Sequence, residues 1–374
     1  MKVAVVVPKY GLVGGAEKVV FELTERLARQ DGMEIHVFAN SWRKGAAPVI
    51  FHRVPRVSFP RWLRPIAFAF IAGRMIGGRG FDLIHSHDRI VKMDVFTMHG
   101  IPHRTWVREA RKKKMSLFDL AVDWLERKGV TGSNTFILPV SSLVKDELLK
   151  VYPVPESRIR VIHPGMDPVV FNAEAMEGSR SRLRSRYGLT ENDTVVLFAG
   201  MNFQIKRLDL VIDAVAAAAR IRPDCRPFLL VLGRGPRERY VDQACKSGIG
   251  DRVVFAGVAD DMASFYAASD LFAMPSGFDT FGLVVLEAMA AGLPVIITER
   301  TGAKDLVKSG LQGFVVPVDV TPGRLAECMC LLMDREVRNR MGRLARAAAA
   351  VNSWETMTSR VNDVYGSVGT SGEI

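Results

Sequence analysis

A chain of 374 residues has room for two ordinary domains, and 48% hydrophobic with 24% charged residues excludes a disordered or fibrous polymer. Cys225, Cys245, Cys328 and Cys330 form no Cys-x-x-Cys pair and have no histidine ladder beside them, which excludes a zinc ribbon or disulfide framework and fits a reducing compartment. The net charge of +11 is uneven: residues 1–165 hold 27 Lys+Arg against 15 Asp+Glu, residues 166–374 hold 24 against 25, so an anionic partner is expected for the first part only.

The opening Val3–Val7 is a β-branched run suited to a strand buried on both faces, too short and without the cleavage site of a signal peptide. After KYGLVGGAEK comes an amphipathic helix with Val19, Val20, Leu23 and Leu27 on one side. Glu34–Ala39, Phe81–His85, Val95–Met98 and Thr135–Val140 read as further strands with helices between them. A stretch rich in Gly, Pro, Ser and Arg, residues 163–188, reads as a linker. The theme then repeats: a strand at Thr194–Ala199, a helix from Leu208 to Arg220, and strands at Phe228–Leu232, Val253–Phe255, Leu271–Met274, Pro294–Thr298 and Gly313–Val316. Alternating strands and helices make parallel sheets covered on both faces. The expectation is two doubly wound α/β domains whose strand carboxyl ends share one cleft. No run of eighteen apolar residues occurs, so no membrane span is expected.

The segment SGFDTFGLVVLEAMAAG, residues 276–292, carries the most chemistry. Asp279 precedes Glu287 by eight positions, and a Phe281-Gly282-Leu283 turn opens an apolar helix between them. Free N–H groups at a helix start suit a phosphate, while a carboxylate one turn further on suits ribose hydroxyls, so the pattern fits a sugar nucleotide. A buried helix with a salt-bridged glutamate fits the same residues equally well. Lys206 and Arg207 follow a strand end, where positive charge would meet a departing diphosphate; that location favours this role over a solvated pair capping a helix. Gly14-Gly15 lets backbone approach a ligand but is not GxGxxG, which counts against a dehydrogenase. His85, His87, Asp88 and His99 gather at two strand ends, where hydrogen bonding is favoured over a metal, and Asp260-Asp261 reads as a turn or helix cap.

Two stretches, residues 59–80 and 104–128, mix Arg and Lys with Trp, Phe and Leu. Basic groups suit anionic headgroups and aromatic groups the acyl boundary, so an anionic membrane surface ranks first. A solvated helix face ranks second, and nucleic acid third, since no nucleic-acid module accompanies Lys112-Lys113-Lys114.

Taken together, VVVPKYGLVGGAEKVV, VIHPGMDPVVF, AGMNFQIKR, GLPVIITERTGAKDLVKSGLQGFVV and SWETMTSRVNDVYGSV resemble, in order and spacing, the retaining glycosyltransferases of the GT-B fold, a family that includes lipopolysaccharide core glucosyltransferases and bacterial mannosyltransferases. The resemblance spans nearly the whole chain. It implies an acceptor-binding domain at 1–165, a nucleotide-sugar domain at 166–355, and a final helix, 356–374, returning to the first domain. By position it implies that Glu287 holds ribose, and that Asp279 with the backbone of Phe281, Gly282 and Leu283 holds the donor sugar and phosphates. Lys206 would neutralise the diphosphate, assisted by Arg207 or Arg234. Gly15 would offer an N–H to it, and the backbone at Gly257 and Val258 would lie by the base. His99 would approach the sugar; Glu17 and His85 would face the acceptor. Two positions depart from the family pattern: Asp279 stands where a Glu is usual, and Met201 follows Gly200 where an Arg is common.

The implied activity is transfer of a hexose, with glucose from UDP-glucose as first choice, to a lipid-linked or lipopolysaccharide core acceptor, with retention, no metal and no cofactor. The implied place is cytoplasmic, peripheral to the inner face of the cytoplasmic membrane. A nucleotide-sugar hydrolase or epimerase on the same fold, or a non-catalytic binder of anionic membrane, are the alternatives.

Overall fold

The computed structural model describes residues 1–12, 14–132, 134–171, 176 and 178–370. It divides into two compact units, Met1–Gly165 with Trp354–Ile374, and Met166–Ser353. The second boundary falls at 353/354, two residues before the expected one.

Unit 1 begins with β1 (Lys2–Val6), β2 (Lys9–Tyr10), α1 (Gly15–Leu27), β3 (Glu34–Ala39), β4 (Ser41–Trp42) and β5 (Ile50–Arg53). It continues with α2 (Leu63–Ile76), β6 (Leu83–Ser86), β7 (Val95–Met98), α3 (His103–Thr105), a π-helical turn (Trp106–Ala110), α4 (Leu117–Val130), β8 (Phe136–Pro139) and α5 (Ser142–Val151). Six strands form a parallel sheet in the order β5-β3-β1-β6-β7-β8. The chain runs outward from β1 on one side and then returns to pair β6 with the other edge of β1, Val5 opposite His85. That reversal opens a crevice at the carboxyl ends of β1 and β6. The run Val3–Val6 is almost fully buried, as a strand covered on both faces requires. β5 and the two-stranded β2/β4 ladder are absent from the sequence reading, because they are short and half exposed.

Unit 2 holds α6 (Ser179–Arg186), β9 (Asp193–Ala199), α7 (Leu208–Ile221), β10 (Arg226–Leu232), α8 (Arg237–Lys246), β11 (Val253–Gly257), α9 (Met262–Ala268), β12 (Leu271–Met274), α10 (Leu283–Ala290), β13 (Val295–Thr298), β14 (Gly313–Val316), α11 (Pro322–Met333) and α12 (Arg335–Ala350). Its sheet is again parallel, in the order β11-β10-β9-β12-β13-β14, and the reversal lies between β9 and β12. α13 (Trp354–Thr370) packs on α1 of unit 1, where Arg26 reaches Glu355 at 2.9 Å and Asn362 reaches Gln30 at 2.8 Å.

The stretch 163–188 is not a plain linker. Its last part is α6, whose Arg184 is 1% exposed and whose Leu183 is buried. Arg180, Leu183, Arg184 and Tyr187 share one helical face, and packing α6 against α9 buries it. The composition hides this, because four arginines in eight residues look solvated. Residues 172–175 and 177 of that stretch, and Val13 of the glycine loop, lie outside the described residues.

Candidate active site

In unit 2 the two segments that leave the sheet at its reversal are the 200–207 loop after β9 and the 275–282 loop after β12. Lys206 and Asp279 lie on these segments, and the ammonium of Lys206 donates to Oδ2 of Asp279. Both side chains are mostly covered, at 17% and 15% exposure. Gly200 permits this: a Cβ there would meet Lys206 Cγ at 2.9 Å. The Asp279 loop is held by backbone bonds, with Asp279 N–H donating to Arg300 O and Ala303 N–H to Phe281 O.

Gly282 adopts φ +89°, a left-handed conformation that suits glycine, and caps α10 without a side-chain partner. The N–H groups that begin α10 therefore face the same region as the Lys206–Asp279 pair. Phe281 turns inward and is 3% exposed, so only its backbone is presented. Glu287 is 8% exposed, and the Tyr266 hydroxyl donates to its Oε2 at 3.0 Å. Burial, then the nearby carboxylate, pushes the Tyr266 phenol well up, so it stays a donor. The sequence left open a bound ribose or a salt-bridged buried glutamate; in the structure a phenol donates to this carboxylate.

Arg207 occupies the N-cap position of α7 at φ +58°, and its guanidinium donates to Val318 O, which anchors its charge beyond the end of β14. Val258 lies just past β11, is half exposed and lines a cavity of about 430 Å³ with Arg182 and Arg186. Asp261 caps α9, accepting from Ser264 N–H at 3.1 Å. Unit 2 thus brings Lys206 and Asp279 together beside the 281–283 backbone that opens the helix of Glu287, with the Arg207 stem against Gly277 of the same loop.

In unit 1, Gly15 begins α1 after β1, and Glu17 folds its carboxylate back over Gly14 into the space a side chain there would fill. His87 and His99 follow β6 and β7, and His87 Nδ1 lies 3.0 Å from His99 Nε2. His87 Nε2 is buried without a partner. The expected place of His85 on the acceptor side does not hold. It is fully buried, with Nδ1 bonded to the Tyr365 hydroxyl of α13 and Nε2 to Thr97 Oγ1, each at 2.7 Å, so neither nitrogen is left for a substrate. Strand alternation sends it inward, as β1 and β7 flank it. Among the described residues, no group of three or more His, Cys, Asp or Glu is arranged to hold a metal.

Burial lowers all three imidazoles: His85 to about 3, His99 to about 4, and His87 well below its usual value. An unfolded histidine titrates near 6.5, so the folded state takes up these protons reluctantly. The unfolding free energy is therefore expected to be full above pH 6.5 and to fall as pH drops from there towards 4, by up to about 1.4 kcal/mol per pH unit for each imidazole. Urea titrations at pH 7, 6 and 5 test this, and His85→Gln should flatten the slope; equal stability at pH 7 and pH 5 in the parent chain would contradict it.

Residues 193–335 match the family model described as glycosyl transferases group 1, and residues 13–170 match that of glycosyltransferase family 4. The D-inositol 3-phosphate glycosyltransferase of Salinispora arenicola is 30% identical, with 96% of this chain and 88% of the relative aligned. The chain belongs to the group 1 glycosyltransferases. This glycosyltransferase is also 28% identical to the N-acetyl-alpha-D-glucosaminyl L-malate synthase of Bacillus anthracis, over 92% of both chains. Its fold is similar to that of WaaG, a glycosyltransferase involved in lipopolysaccharide biosynthesis, with TM-score 0.81, 22% identity and coverage of 97% of this chain and 99% of that one. Anabaena HepE in complex with UDP and glucose is similar at TM-score 0.74 and 21% identity, over 98% and 100%. The two parallel α/β units of the glycosyltransferase are those of the GT-B fold. Among the described residues, it has no helix long and apolar enough to cross a membrane.

Proposed function

We propose that the enzyme transfers a hexose, glucose from UDP-glucose as first choice, from a nucleotide diphosphate sugar to a lipid-linked acceptor at an anionic membrane surface, with retention and without a metal. The observation that carries the donor half is the Lys206–Asp279 pair at the β9/β12 reversal, beside the free start of α10. In such a transfer the bond from C1 to the diphosphate breaks, a bond from C1 to the acceptor oxygen forms on the same face, and the proton of the acceptor hydroxyl passes to the leaving diphosphate oxygen. Negative charge then grows on the departing diphosphate, where the Lys206 ammonium and the α10 N–H groups stabilise it. In unit 2, Asp279 contacts the sugar and Glu287 the ribose. A nucleotide sugar is also in keeping with the UDP and glucose of the HepE structure.

The membrane half rests on unit 1. Helices α2 and α4 pack together and expose Phe70, Leu117, Leu120 and Trp124, with Phe70 and Trp124 stacked at 6.5 Å. Phe59, at 86% exposure, and Trp62 come just before α2 in the chain, and Lys112, Lys113 and Lys114, also exposed, just before α4. Basic groups around exposed aromatic rings suit a headgroup layer. The role of WaaG in lipopolysaccharide biosynthesis makes a lipopolysaccharide core acceptor the first to try.

Thermal shift with UDP-, GDP- and ADP-glucose in EDTA tests the donor half. A shift with UDP-glucose is expected, weakened about tenfold in affinity by Glu287→Gln, since a charged hydrogen bond is worth about 1.5–3 kcal/mol. No shift with any of the three would remove the donor reading.

A further inference from the structure

Unit 1 contains a cavity of about 890 Å³ at the carboxyl ends of its strands. Lys9 lines it at the start of β2, the short strand after β1, with Asn40 just beyond β3, Arg56 just beyond β5, and Asp88 and Arg89 just beyond β6. The opening thus lies along the crevice where open parallel sheets take ligands. Arg61 and Arg64, at the start of α2, contribute a second wall.

The charge of this wall is unbalanced. Asp88 supplies the one carboxylate of the lining, and Arg89 stands 3.9 Å from it. Among the described residues, Lys9, Arg56 and Arg61 form no ion pair, and Arg64 donates only to the Ser58 carbonyl, at 2.6 and 3.0 Å. Elsewhere in the lining the cations are fixed. Glu126, itself buried, accepts from Arg89 Nε at 2.6 Å and from the His103 N–H at 2.8 Å. Asp119 accepts from His103 Nε2 at 2.9 Å and from Arg111 at 3.3 Å. The floor is rigid and neutralised, while four cations from three separate segments remain turned on the space. Four uncompensated cations repel one another unless an anion joins them. Arginine is suited to phosphate because its planar fork donates two parallel hydrogen bonds.

Asp88 of the lining directly follows His87, which lies against His99. Its outer rim includes Phe118, on the apolar face of α4.

We infer that this cavity binds a phosphate monoester carried by the acceptor, gripped by Arg56, Arg61, Arg64 and Lys9. The inference rests on the transferase reading, for which it supplies the acceptor class. It is independent of the donor residues, all of which lie outside the cavity.

The test uses the full chain, wild type and Arg56→Gln/Arg61→Gln, with two probes. Glycerol 3-phosphate, followed by calorimetry, reports a soluble phosphate monoester. Phosphatidylcholine vesicles containing phosphatidic acid, followed by co-sedimentation against vesicles of equal phosphatidylserine content, report the same group on a lipid. Both arginines of the variant are exposed, so it should fold, and its UDP-glucose thermal shift serves as the control. We expect glycerol 3-phosphate binding that weakens at least about tenfold in the variant, since two charge-assisted contacts are lost. Binding of phosphatidic acid vesicles alone, with the same loss, would support the site and assign the phosphate to a lipid headgroup. The proposal is overturned if the variant binds both probes as tightly as wild type, or if wild type binds neither. An absent UDP-glucose shift with phosphate binding intact would remove the donor reading and leave this one standing.

Discussion

Replacing Lys206 with alanine is expected to lower kcat by about 10²–10³-fold, the usual cost of removing one preorganised charge from the place where negative charge develops. The geometry makes this residue hard to replace. Its ammonium is mostly covered and already held by Asp279, so little reorganisation is needed when a diphosphate departs. Arg207 cannot easily substitute, because its guanidinium is engaged at Val318 O. Arg234 follows β10, next to β9 in the sheet, and the alanine variant measures how much it assists. Asp279→Asn keeps the shape of the loop but removes the countercharge, and a smaller loss is expected. Steady-state release of UDP from UDP-glucose in the presence of acceptor gives both values. A Lys206→Ala enzyme with kcat within a factor of three of wild type would remove Lys206 from the chemistry.

Arg184→Ala should cost unit 2 about 3–5 kcal/mol, the range for breaking a buried charge pair. Nη2 donates to Asp270 Oδ2 at 2.8 Å and to Asp193 O at 2.9 Å, and Nε donates to Ala268 O at 3.2 Å. Asp270 in turn accepts the Val195 N–H at 2.7 Å, so one side chain ties α6 to β9 and to the loop before β12. Alanine would leave the buried carboxylate with Arg180 at 3.0 Å and Arg338 at 3.9 Å, both on Oδ1, and Oδ2 without a cation among the described residues. Arg186→Ala, two residues on and exposed, should stay within about 1 kcal/mol, the scale of its cation–π contact with Tyr187. Urea unfolding of both variants separates the cases, and equal midpoints would refute the argument.

The parallel sheets were legible because buried parallel strands are continuous apolar runs: Glu34–Ala39, Val95–Met98, Leu271–Met274 and Gly313–Val316 have the same bounds in sequence and structure. The meeting of Lys206 with Asp279 beside the 281–283 turn was legible because a glycine turn, a lysine and spaced acids follow strand ends, which parallel sheets bring to one edge. Three features were not. Arg184 carries no local mark that separates it from Arg182 or Arg186, and only the helical spacing of 180, 183, 184 and 187 hints at a buried face. His85 was expected on the acceptor side because the residue that occupies it, Tyr365, is 280 positions away. The basic cavity escaped notice because Lys9, Arg56 and Arg61 are scattered singly along the chain and converge only once strands β1, β3 and β5 lie side by side.

The return of α13 to unit 1 also sets an order of completion during synthesis. Residues 166–353 emerge as one continuous stretch, and their ends are joined by the bond from Met166 N–H to Asn352 O at 3.0 Å. Everything unit 2 needs has therefore left the ribosome before unit 1 receives its last helix. Domains are commonly finished in the order they are made; here the second is finished first. Until Tyr365 arrives, the His85 imidazole lacks the hydroxyl that satisfies Nδ1. A nascent or truncated chain ending before Trp354 therefore carries a finished second unit and a first unit whose His85 Nδ1 has lost its Tyr365 partner.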